Sequence, residues 1–478
     1  MKNIKYSLSL LFTLVLIITA CAEQEQAPTK PNILFIFADD LTYQSINALG
    51  ASDLITPNLD KLAKSGVSFS NSFNMGGWNG AVCVASRTML LTGKYIWNAY
   101  QADSLMGKKN YQTPVWSELM ESAGYDTYMS GKWHIKKPAT AVFQNVVHVR
   151  PGMPNQTESG YNRPLYKNDR SWLPWDKSKE GFWKGGKHWS EVLADDAVAF
   201  LDTASKNEDP FFMYLAFNAP HDPRQSPRSF VDMYPVDDID VPVNFLKEYP
   251  YNEAMGSGRK LRDERLAPFP RTEYSVKVNR QEYYASITHM DEQIGKILDR
   301  LEASGKMDNT YIIFAADHGL SVGQHGLLGK QNMYDHSMRV PLIISGGNIP
   351  KNAKAATDVY VQDIMPTVLE LAGVDKPAYV DFHSLLPFTK GQTTGNYTSI
   401  YGAYTMKQRM IRSDGFKLIA YPSANKLRLF DMKNDPLEMN DLADNDDFKT
   451  EKDKLWLALL LLQKEMNDPL NLEEYISN

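Results

Sequence analysis

One segment of this sequence places a thiol and a guanidinium at a fixed short spacing. Cys83 lies in the run AVCVASRTMLLTG (residues 81–93), and Arg87 follows it by four residues. A cysteine of this kind can act as a nucleophile, whereas most lone cysteines pack as small buried hydrophobic residues. The run by itself therefore leaves both interpretations open.

Two other segments present carboxylates. Asp39 and Asp40 follow an apolar run, and Asp317 and His318 follow a second one. Adjacent carboxylates can bind one hard divalent cation, because the ion offsets the repulsion between them. A solvated turn after a strand has the same composition, so each pair alone is compatible with a metal site or with a plain turn.

Continuous apolar runs precede these residues. Residues 32–38, 210–217 and 311–316 lack polar alternation, which is typical of strands buried on both faces of a parallel sheet. Ligands of doubly wound sheets bind beyond the carboxyl ends of the strands. We therefore expect one edge of the sheet to carry Asp39, Asp40, His221, Asp317 and His318.

Helical patterns alternate with the predicted strands. Thr56 and Pro57 form a helix start, and residues 287–301 repeat apolar side chains at i, i+3 and i+4. The alternation predicts an α/β fold with a large, mostly parallel sheet flanked by helices. After about residue 373, short alternating segments separated by turns predict antiparallel hairpins, followed by a helix around residues 455–463. We assign residues 31–375 to a catalytic domain and residues 376–478 to a smaller antiparallel-sheet subdomain.

Ordered motifs carry a family resemblance over nearly all of the chain beyond residue 30. PNILFIFADD, CVASRTMLLTG, GKWH, APHDP, AADHG, GLLGK with RVPLI, and FDMKNDPLEMNDLA resemble the formylglycine-dependent sulfatases of the alkaline-phosphatase-like superfamily, in particular bacterial polysaccharide sulfatases. The resemblance implies that Cys83 is oxidised to formylglycine after translation. It also implies one calcium ion, bound by an oxygen of the modified Cys83 and by Asp39, Asp40, Asp317 and His318. Many members carry Asn at the position of His318, so other divalent ions remain open.

The same resemblance assigns the cationic and imidazole side chains. Arg87 would hold the hydrated aldehyde, and Lys132 and His134 would contact its two hydroxyls. His221 and Lys330 would reach the sulfate and the leaving oxygen, and Lys132 would also contact the sulfate. Without the resemblance, these would be an ordinary surface arginine, a polar loop, a structural histidine and a solvent-facing lysine.

A sulfate monoester is an anion that resists nucleophiles, so its site needs a metal and Lys or His donors. The resemblance implies that one hydroxyl of the aldehyde hydrate attacks sulfur while the alcohol leaves with a proton from His221 or Lys330. The second hydroxyl, deprotonated by His134, would then expel sulfate and restore the aldehyde. Neither Ser nor Cys could perform this last step.

Ala85 departs from the common motif, which has Pro at this position. Variants with Ala are tolerated by some maturation systems of the family, notably the radical-based bacterial type. We therefore expect a radical-type sulfatase-maturating enzyme as a partner.

Composition limits the classes of protein. The 478 residues, 43% of them hydrophobic, suffice for a large core and a smaller second one. The net charge of −6 excludes a globally basic nucleic-acid binder, so local cations must hold an anionic substrate. The two cysteines, Cys21 and Cys83, lie in the N-terminal leader and in the CVASR motif, and no structural disulfide is expected.

The N-terminus predicts export. Lys2 and Lys5 precede an apolar run at residues 6–20, which is shorter than a comfortable membrane span of about 20 residues. The run ends ITAC and resembles a bacterial lipobox, so residues 1–20 would be a signal peptide, Cys21 the lipidation site and residues 21–30 a tether. An ordinary signal peptide with an incidental cysteine is the alternative. We expect a periplasmic or outer-membrane lipoprotein held to the membrane through its lipid alone.

Aromatic and basic residues alternate between residues 150 and 189. Aromatic faces stack on sugar rings and cations bind sulfate or carboxylate, so Trp172, Trp175 and His188 are candidates for a substrate-binding rim. The same aromatics could simply pack a long loop. An insertion at residues 224–271, with the basic run RKLR at residues 259–262, offers further subsites. The expected substrate is a sulfated oligo- or polysaccharide such as ulvan, carrageenan or a glycosaminoglycan.

Two other functions fit the same fold. A phosphodiesterase or phosphonate hydrolase is one, since phosphoryl and sulfuryl groups share their shape. A tethered glycan-binding protein with an inactive site is the other. Binding alone would not require the full set of Asp39, Asp40, Cys83, Arg87, Lys132, His134, His221, Asp317, His318 and Lys330.

Overall fold

The computed structural model of this protein describes residues 30–150, 152, 158–182 and 186–475. The predicted signal peptide, the lipidation site Cys21 and all but the last residue of the predicted tether lie outside the described residues. From Pro31 onward the chain forms one compact unit. No helix in the described part has the length and apolarity needed to cross a membrane.

The described strands form three sheets. Their bounds are β1 (Asn32–Ala38), β2 (Gly66–Phe69), β3 (Ser72–Phe73), β4 (Gly76–Gly77), β5 (Asp126–Lys132), β6 (Asn145–Arg150), β7 (Phe211–Ala216), β8 (Thr310–Ala316), β9 (Leu342–Ser345), β10 (Ala353–Ala355), β11 (Val359–Tyr360), β12 (Ile400–Tyr404), β13 (Gln408–Ser413), β14 (Phe416–Tyr421) and β15 (Lys426–Asp431). The largest sheet has eight strands in the order β10-β2-β9-β8-β1-β7-β5-β6. Its strands run parallel except β9, which is antiparallel to β2 and β8.

The α-helices of the described residues are α1 (Pro57–Lys64), α2 (Val82–Thr92), α3 (Ile96–Gly107), α4 (Trp116–Ser122), α5 (Trp189–Ala204), α6 (Arg228–Val231), α7 (Glu273–Ala303), α8 (Asp335–Met338), α9 (Ile364–Leu371), α10 (Leu386–Thr389) and α11 (Lys449–Glu465). Two groups of helices flank the large sheet, α1 with α5, α6 and α7, and α2 with α3, α4 and α9, whereas α11 packs against β13 and β14. The predicted α/β class with a mostly parallel sheet is confirmed.

Strand β1 lies in the middle of the large sheet, between β7 and β8. All seven of its residues are buried, because helices cover both faces of the sheet. An uninterrupted apolar run is the sequence pattern of such a strand, and the predicted bounds agree with the observed ones. Helix α1 likewise begins at the predicted Pro57.

A second sheet has the order β15-β14-β13-β12-β4 and is antiparallel except for the β12–β4 pair. The predicted C-terminal hairpins are therefore present. Strand β4 comes from the N-terminal part of the chain, just before α2. Gly76 makes this pairing possible, since a Cβ there would lie 2.0 Å from the Ala403 carbonyl oxygen and its φ is +84°.

Helix α2 connects two hydrophobic cores. Leu90 and Leu91 belong to the core around the large sheet, whereas Val82, Ala85 and Met89 belong to the core around the second sheet. Opposite faces of one helix are thus buried in different cores. This double anchoring fixes the position of the first turn of α2.

Candidate active site

Cys83 is the second residue of α2 and is buried at the carboxyl edge of the large sheet. Three charged or polar side chains surround its sulfur: Lys330 Nζ at 3.3 Å, His318 Nε2 at 3.3 Å and Lys132 Nζ at 3.4 Å. The first turn of a helix adds the positive end of the helix dipole. Cys83 therefore sits at a point where negative charge is stabilised.

The electrostatics of this position favour an anion. Burial of the Cys83 thiol raises its pKa, but Lys132, Lys330 and His318 together hold the pKa well below its ordinary value. Low thiol pKa values are characteristic of cysteines in electropositive, chemically active surroundings. A structural cysteine in an apolar core would show the opposite shift.

Four neighbouring strands deliver the other groups. The carboxyl ends of β8, β1, β7 and β5 lie side by side in the sheet and lead directly into the site. These strand ends position, in that order, Asp317 with His318, Asp39 with Asp40, His221, and Lys132 with His134. Residues that are far apart in the sequence therefore meet, as the parallel-sheet prediction required.

Asp40 occupies a backbone conformation that is costly for a residue with a side chain. Its φ is +65°, in the left-handed region. Two contacts hold it there: its N–H donates to Asp317 Oδ1 at 3.2 Å, and Tyr283 Oη donates to its carbonyl oxygen at 3.0 Å. Its carboxylate in turn accepts from Lys330 Nζ at 2.9 and 3.0 Å. Backbone strain maintained by such contacts is common at functional sites.

Asp317 and Arg87 form a buried ion pair, with Nε 2.9 Å from Oδ2. Arg87 Nη1 also donates to the Lys132 carbonyl oxygen at 2.8 Å, and its Nη2 lies 3.7 Å from Asp39 Oδ1. Arg87 thus connects three of the strand ends beneath the thiol. The guanidinium is completely buried and is not a surface residue.

The two candidate proton-transfer histidines differ in their surroundings. Burial lowers the pKa of His134, and its Nδ1 has no hydrogen-bond partner among the described residues. His221 has both ring nitrogens engaged: Nδ1 lies 2.6 Å from the Asp222 carbonyl oxygen, and Nε2 lies 3.1 Å from Lys330 Nζ. A neutral His134 suits a base, and the His221–Lys330 pair can share a proton.

The residues present fit a divalent cation. One ligand atom from each of Asp39, Asp40, Cys83 and His318 lies within 4.8 Å of all the others. Asp39 Oδ1 is buried without a hydrogen-bond partner in the described part, and burial raises the Asp39 pKa well above its ordinary value although Lys132 opposes this. A cation would satisfy that oxygen and stabilise the carboxylate charge. Both Asp317 oxygens already accept hydrogen bonds, from Arg87 and from the Asp40 and His318 N–H groups, so its role as a ligand stays a prediction.

The structure places two of the predicted rim residues, Trp172 and Trp175, in a groove apart from the residues around Cys83. Trp172 and Trp175 line a groove of about 430 Å³ beside Arg163, and the lining contains none of the residues clustered at the thiol. Trp172 is only 5% exposed and packs against the Arg163 guanidinium, whereas Trp175 is half-buried. Their role in substrate binding stays a prediction.

His188 has a structural environment. Its Nδ1 accepts the N–H of Ser190 at 3.1 Å and so caps α5, while its Nε2 lies 2.9 Å from the Gln225 carbonyl oxygen. Burial keeps its pKa well below the ordinary value, so the ring is neutral. His188 does line a cavity next to His221, and its predicted contact with substrate is untested.

Sequence reasoning missed the groups behind His221. Asp222 is buried, accepts a hydrogen bond from Tyr161 Oη at 2.6 Å, and lies 3.3 Å from His221 Nδ1 and 3.7 Å from Arg262 Nη2. Asp222 belongs to the motif APHDP and could have been suspected. Tyr161 and Arg262 lie on distant loops, and although Arg262 belongs to the basic run RKLR, no local pattern relates either residue to His221.

The fold and this cluster define a class of protein. A mostly parallel sheet whose strand ends gather carboxylates, lysines and imidazoles around a buried thiol provides the groups that hydrolysis of an anionic ester needs. Residues 31–374 match the family model of the sulfatases, and residues 323–465 match that of the C-terminal region of N-sulphoglucosamine sulphohydrolase. The chain belongs to the sulfatase family and is a sulfuric ester hydrolase, as the motifs predicted.

Individual relatives agree with this assignment. The chain is 26% identical to an N-acetylglucosamine-6-O-sulfatase of Bacteroides thetaiotaomicron, covering 94% of this chain and 89% of that protein. It is also 26% identical to an ulvan-active sulfatase of Formosa agariphila, covering 95% and 85%. A solved structure in complex with its substrate D-glucosamine-2-N,6-O-disulfate superimposes with a TM-score of 0.73 at 24% identity, covering 93% of this chain and 100% of that one.

Solved structures of phosphonate hydrolases share the fold of this chain. The phosphonate monoester hydrolase of Agrobacterium radiobacter superimposes with a TM-score of 0.71 at 21% identity, covering 91% of this chain and 96% of that one. Similar folds host different activities. The family match and the named relatives favour sulfate ester hydrolysis.

Proposed function

We propose that this sulfatase removes sulfate from a sulfated carbohydrate, with a formylglycine formed from Cys83 as the nucleophile and a divalent cation, calcium in the first instance, at Asp39 and Asp40. The observation that carries the proposal is the convergence of two lysines and one imidazole on the Cys83 sulfur, within 3.4 Å. A dianionic transition state at sulfur needs such donors.

Different residues of the chain bind the sulfuryl group and transfer protons. Lys132 and Lys330 bind the oxygens of the sulfuryl group next to the position of Cys83 Sγ. Lys330 contacts His221 Nε2 at 3.1 Å, so this pair delivers the proton to the leaving alcohol. His134, whose pKa burial lowers, accepts the proton that must leave the nucleophile before sulfate is released.

Two groups complete the chemistry when they are present. A divalent cation supplies a Lewis acid for the sulfate oxygens and would be held by Asp39, Asp40 and His318. Formylglycine supplies two hydroxyls on one carbon, so that attack and release are divided between them. Arg87, which contacts Asp317 and lies near Asp39, keeps the carboxylates in place around the modified residue.

The substrate class rests on the relatives. The curated relatives include an N-acetylglucosamine-6-O-sulfatase and an ulvan-active sulfatase, and the superimposed structure holds a sulfated glucosamine. These substrates share a sulfate ester on a sugar ring. We extend this class, and no particular glycan within it, to the present chain.

The cellular setting belongs to the same proposal. The leader sequence and the ITAC run support an exported lipoprotein acylated at Cys21, located in the periplasm or on the outer membrane. Ala85 after Cys83 supports maturation by a radical-type enzyme. An exported, membrane-tethered sulfatase would meet polymeric glycans before their uptake.

The test is sulfate release from a panel of sulfated oligosaccharides by matured protein, with an aryl phosphate diester as the rival substrate. We expect release from at least one carbohydrate and no turnover by the Cys83→Ala variant. Absence of release from every sugar, or faster cleavage of the phosphate diester, would refute the proposal. Dialysis against a chelator should abolish activity, and re-addition of calcium, but not of magnesium alone, should restore it.

A further inference from the structure

A narrow cavity adjoins the catalytic cluster, the groups gathered around Cys83, on the side of His221. Its lining includes Arg150 at the end of β6, Gly152 two residues later, Trp189 at the start of α5, His221 after β7 and Ser286 on α7. Gly152 lies against the catalytic histidine on the other side, since a Cβ there would lie 3.1 Å from His134 Nε2. The cavity therefore opens next to both proton-transfer residues.

Arg150 is held rigidly in this cavity. Its guanidinium carbon lies 3.4 Å from the centroid of the Trp189 ring, and Nη2 donates to the Glu180 carbonyl oxygen at 3.1 Å. The same carbonyl accepts Trp189 Nε1 at 2.8 Å. The shared acceptor and the stacked ring fix the plane of the guanidinium, which lowers the entropy cost of binding a planar or tetrahedral anion.

The charge of Arg150 has no partner in the described part of the chain. The side chain is buried, yet no carboxylate of the described residues lies within ion-pairing distance of it. Most buried arginines here are paired with carboxylates: Arg87 with Asp317, Arg163 with Glu282, Arg271 with Glu264 and Arg409 with Asp468. Arg224, the other exception, lies against Asn279 and the Tyr283 ring.

Burial without a counter-charge has an energetic consequence. It lowers the pKa of Arg150 to about 9, although Glu180 and Asp39 act in the opposite direction. A buried cation that is not compensated by the protein is costly unless a ligand compensates it. Asp222, the acid that lines the same cavity, is already engaged by Tyr161, His221 and Arg262.

We propose that Arg150 binds a second anionic group of the substrate, a carboxylate or a sulfate carried close to the scissile sulfate. In the β5–β6 pairing Arg150 lies directly opposite Lys132, the residue that contacts Cys83. Residues paired across adjacent parallel strands, whose backbones are about 4.8 Å apart, project from the same face of the sheet, so an anion at Arg150 would lie close to the sulfate at Lys132. The preferred substrate is therefore a doubly anionic saccharide unit. This inference rests on the proposed carbohydrate sulfatase function.

The test compares two kinds of substrate with matured full-length protein. Glucosamine 2-N,6-O-disulfate and a sulfated uronate carry a second anion, and glucosamine 6-O-sulfate does not. Arg150→Gln should lower kcat/KM for the doubly anionic substrates about 10- to 100-fold, mainly through KM, and change the singly sulfated one less than about threefold. Loss on the disulfate alone, or on the uronate alone, identifies which second anion the site takes.

A matched control exists in Arg339, whose guanidinium lies 3.9 Å from the Tyr43 ring centroid and donates to the Ser70 carbonyl oxygen at 2.6 Å. Arg339→Gln should leave the preference for a second anion unchanged. Arg150→Lys keeps the charge without the planar fork, and an intermediate preference is expected. Equal losses on both kinds of substrate in Arg150→Gln would overturn the inference and identify a structural arginine.

A binding measurement on an inactive variant tests the second anion site without depending on sulfatase turnover. Calorimetric titration of glucosamine 2-N,6-O-disulfate into Cys83→Ala protein needs no turnover and no maturation. Weaker binding of the disulfate after the additional Arg150→Gln change, with glucosamine 6-O-sulfate unaffected, supports the second anion site. Unchanged binding of the disulfate contradicts it, even if sulfate release from sugars has been demonstrated.

Discussion

Two buried lysines of this protein illustrate how a catalytic cluster differs from a structural one. Lys417, in the second sheet, donates to Asp335, to Glu438 Oε1 at 2.7 Å and to the Met333 carbonyl oxygen at 3.2 Å. Its hydrogen-bond partners among the described residues are all oxygen acceptors. Lys330, at the edge of the large sheet, contacts Asp40 but also the Cys83 sulfur and the His221 ring.

The surroundings of the two lysines differ in whether they contain polar atoms without a hydrogen-bond partner. Around Lys417, two carboxylates and a carbonyl saturate the ammonium group, so the cluster can only hold the fold together. Around Lys330, Asp39 Oδ1 and His134 Nδ1 have no hydrogen-bond partner among the described residues. Such spare capacity close to strong charges is what a substrate, a metal or a moving proton requires.

Alanine substitution of the two lysines should separate these roles most strongly. Lys330→Ala should lower kcat about 10²- to 10⁴-fold, because the leaving oxygen loses its proton donor and the sulfuryl group one cation. Lys417→Ala should lower the free energy of unfolding by about 3–5 kcal/mol, because Glu438 and Asp335 lose their buried partner. Kinetics per folded molecule and denaturant titration check both. Equal kinetic losses in the two variants would remove the distinction.

A substitution of Asp222 tests whether residues that contact His221 from behind also affect catalysis. Asp222→Asn should lower kcat about 10- to 100-fold on sugar sulfates, because Asp222 positions His221. An aryl sulfate with a good leaving group needs less proton transfer and should be affected less. A loss independent of the leaving group would assign Asp222 a structural role instead. Tyr161→Phe, which removes the hydrogen bond to Asp222, should follow the same pattern with a smaller amplitude.

Trp175 tests whether the outlying groove contributes to binding at all. A half-buried indole that stacks on a sugar ring is worth about 0.5–1.5 kcal/mol, so Trp175→Ala should raise KM for a sulfated oligosaccharide about 2- to 10-fold and leave kcat unchanged. A small aryl sulfate, which cannot reach the groove, serves as the control substrate. An unchanged KM for oligosaccharides of every length would limit Trp175 to packing.

The free energy of unfolding should depend on pH through Glu438, which accepts a hydrogen bond from Lys417. Burial raises the pKa of Glu438 to about 7, although Lys417 opposes the shift. Because the folded pKa exceeds the ordinary value of about 4.3, the stabilising contribution is complete at low pH and is lost as the pH rises through 7. Glu438→Gln should flatten the pH dependence of unfolding between pH 5 and 8 without changing the pH profile of kcat. A steeper dependence in the variant would contradict this sign.

Much of the catalytic cluster was predictable from the sequence, because local patterns determine it. The apolar run before Asp39 defines β1 completely, and the parallel topology then requires Asp317 and His221 to meet Asp39 at one edge. The motif around Cys83 predicted the residue on which Lys132, His318 and Lys330 converge. The extent of α7 was less visible, since its first half buries polar residues such as Asn279 and Glu282 that break the apolar period.

The remaining features depend on contacts between distant segments. The stack of Arg150 on Trp189 and the ion pair of Arg163 with Glu282 join residues that no local pattern relates. The aromatic content near Trp172 predicted either a substrate-binding rim or a packed loop, and composition could not show that the Trp172 ring is buried. The joining of β4 to the C-terminal sheet likewise follows from tertiary packing alone.

The most direct test of the central claim is mass spectrometry of the tryptic peptide carrying Cys83, residues 65–87, combined with sulfate release by the same preparation. Protein matured in its native host should carry the aldehyde in place of the thiol, and specific activity should rise in proportion to the aldehyde fraction. A preparation that contains only the thiol and still hydrolyses sulfate esters at the full rate would contradict the account.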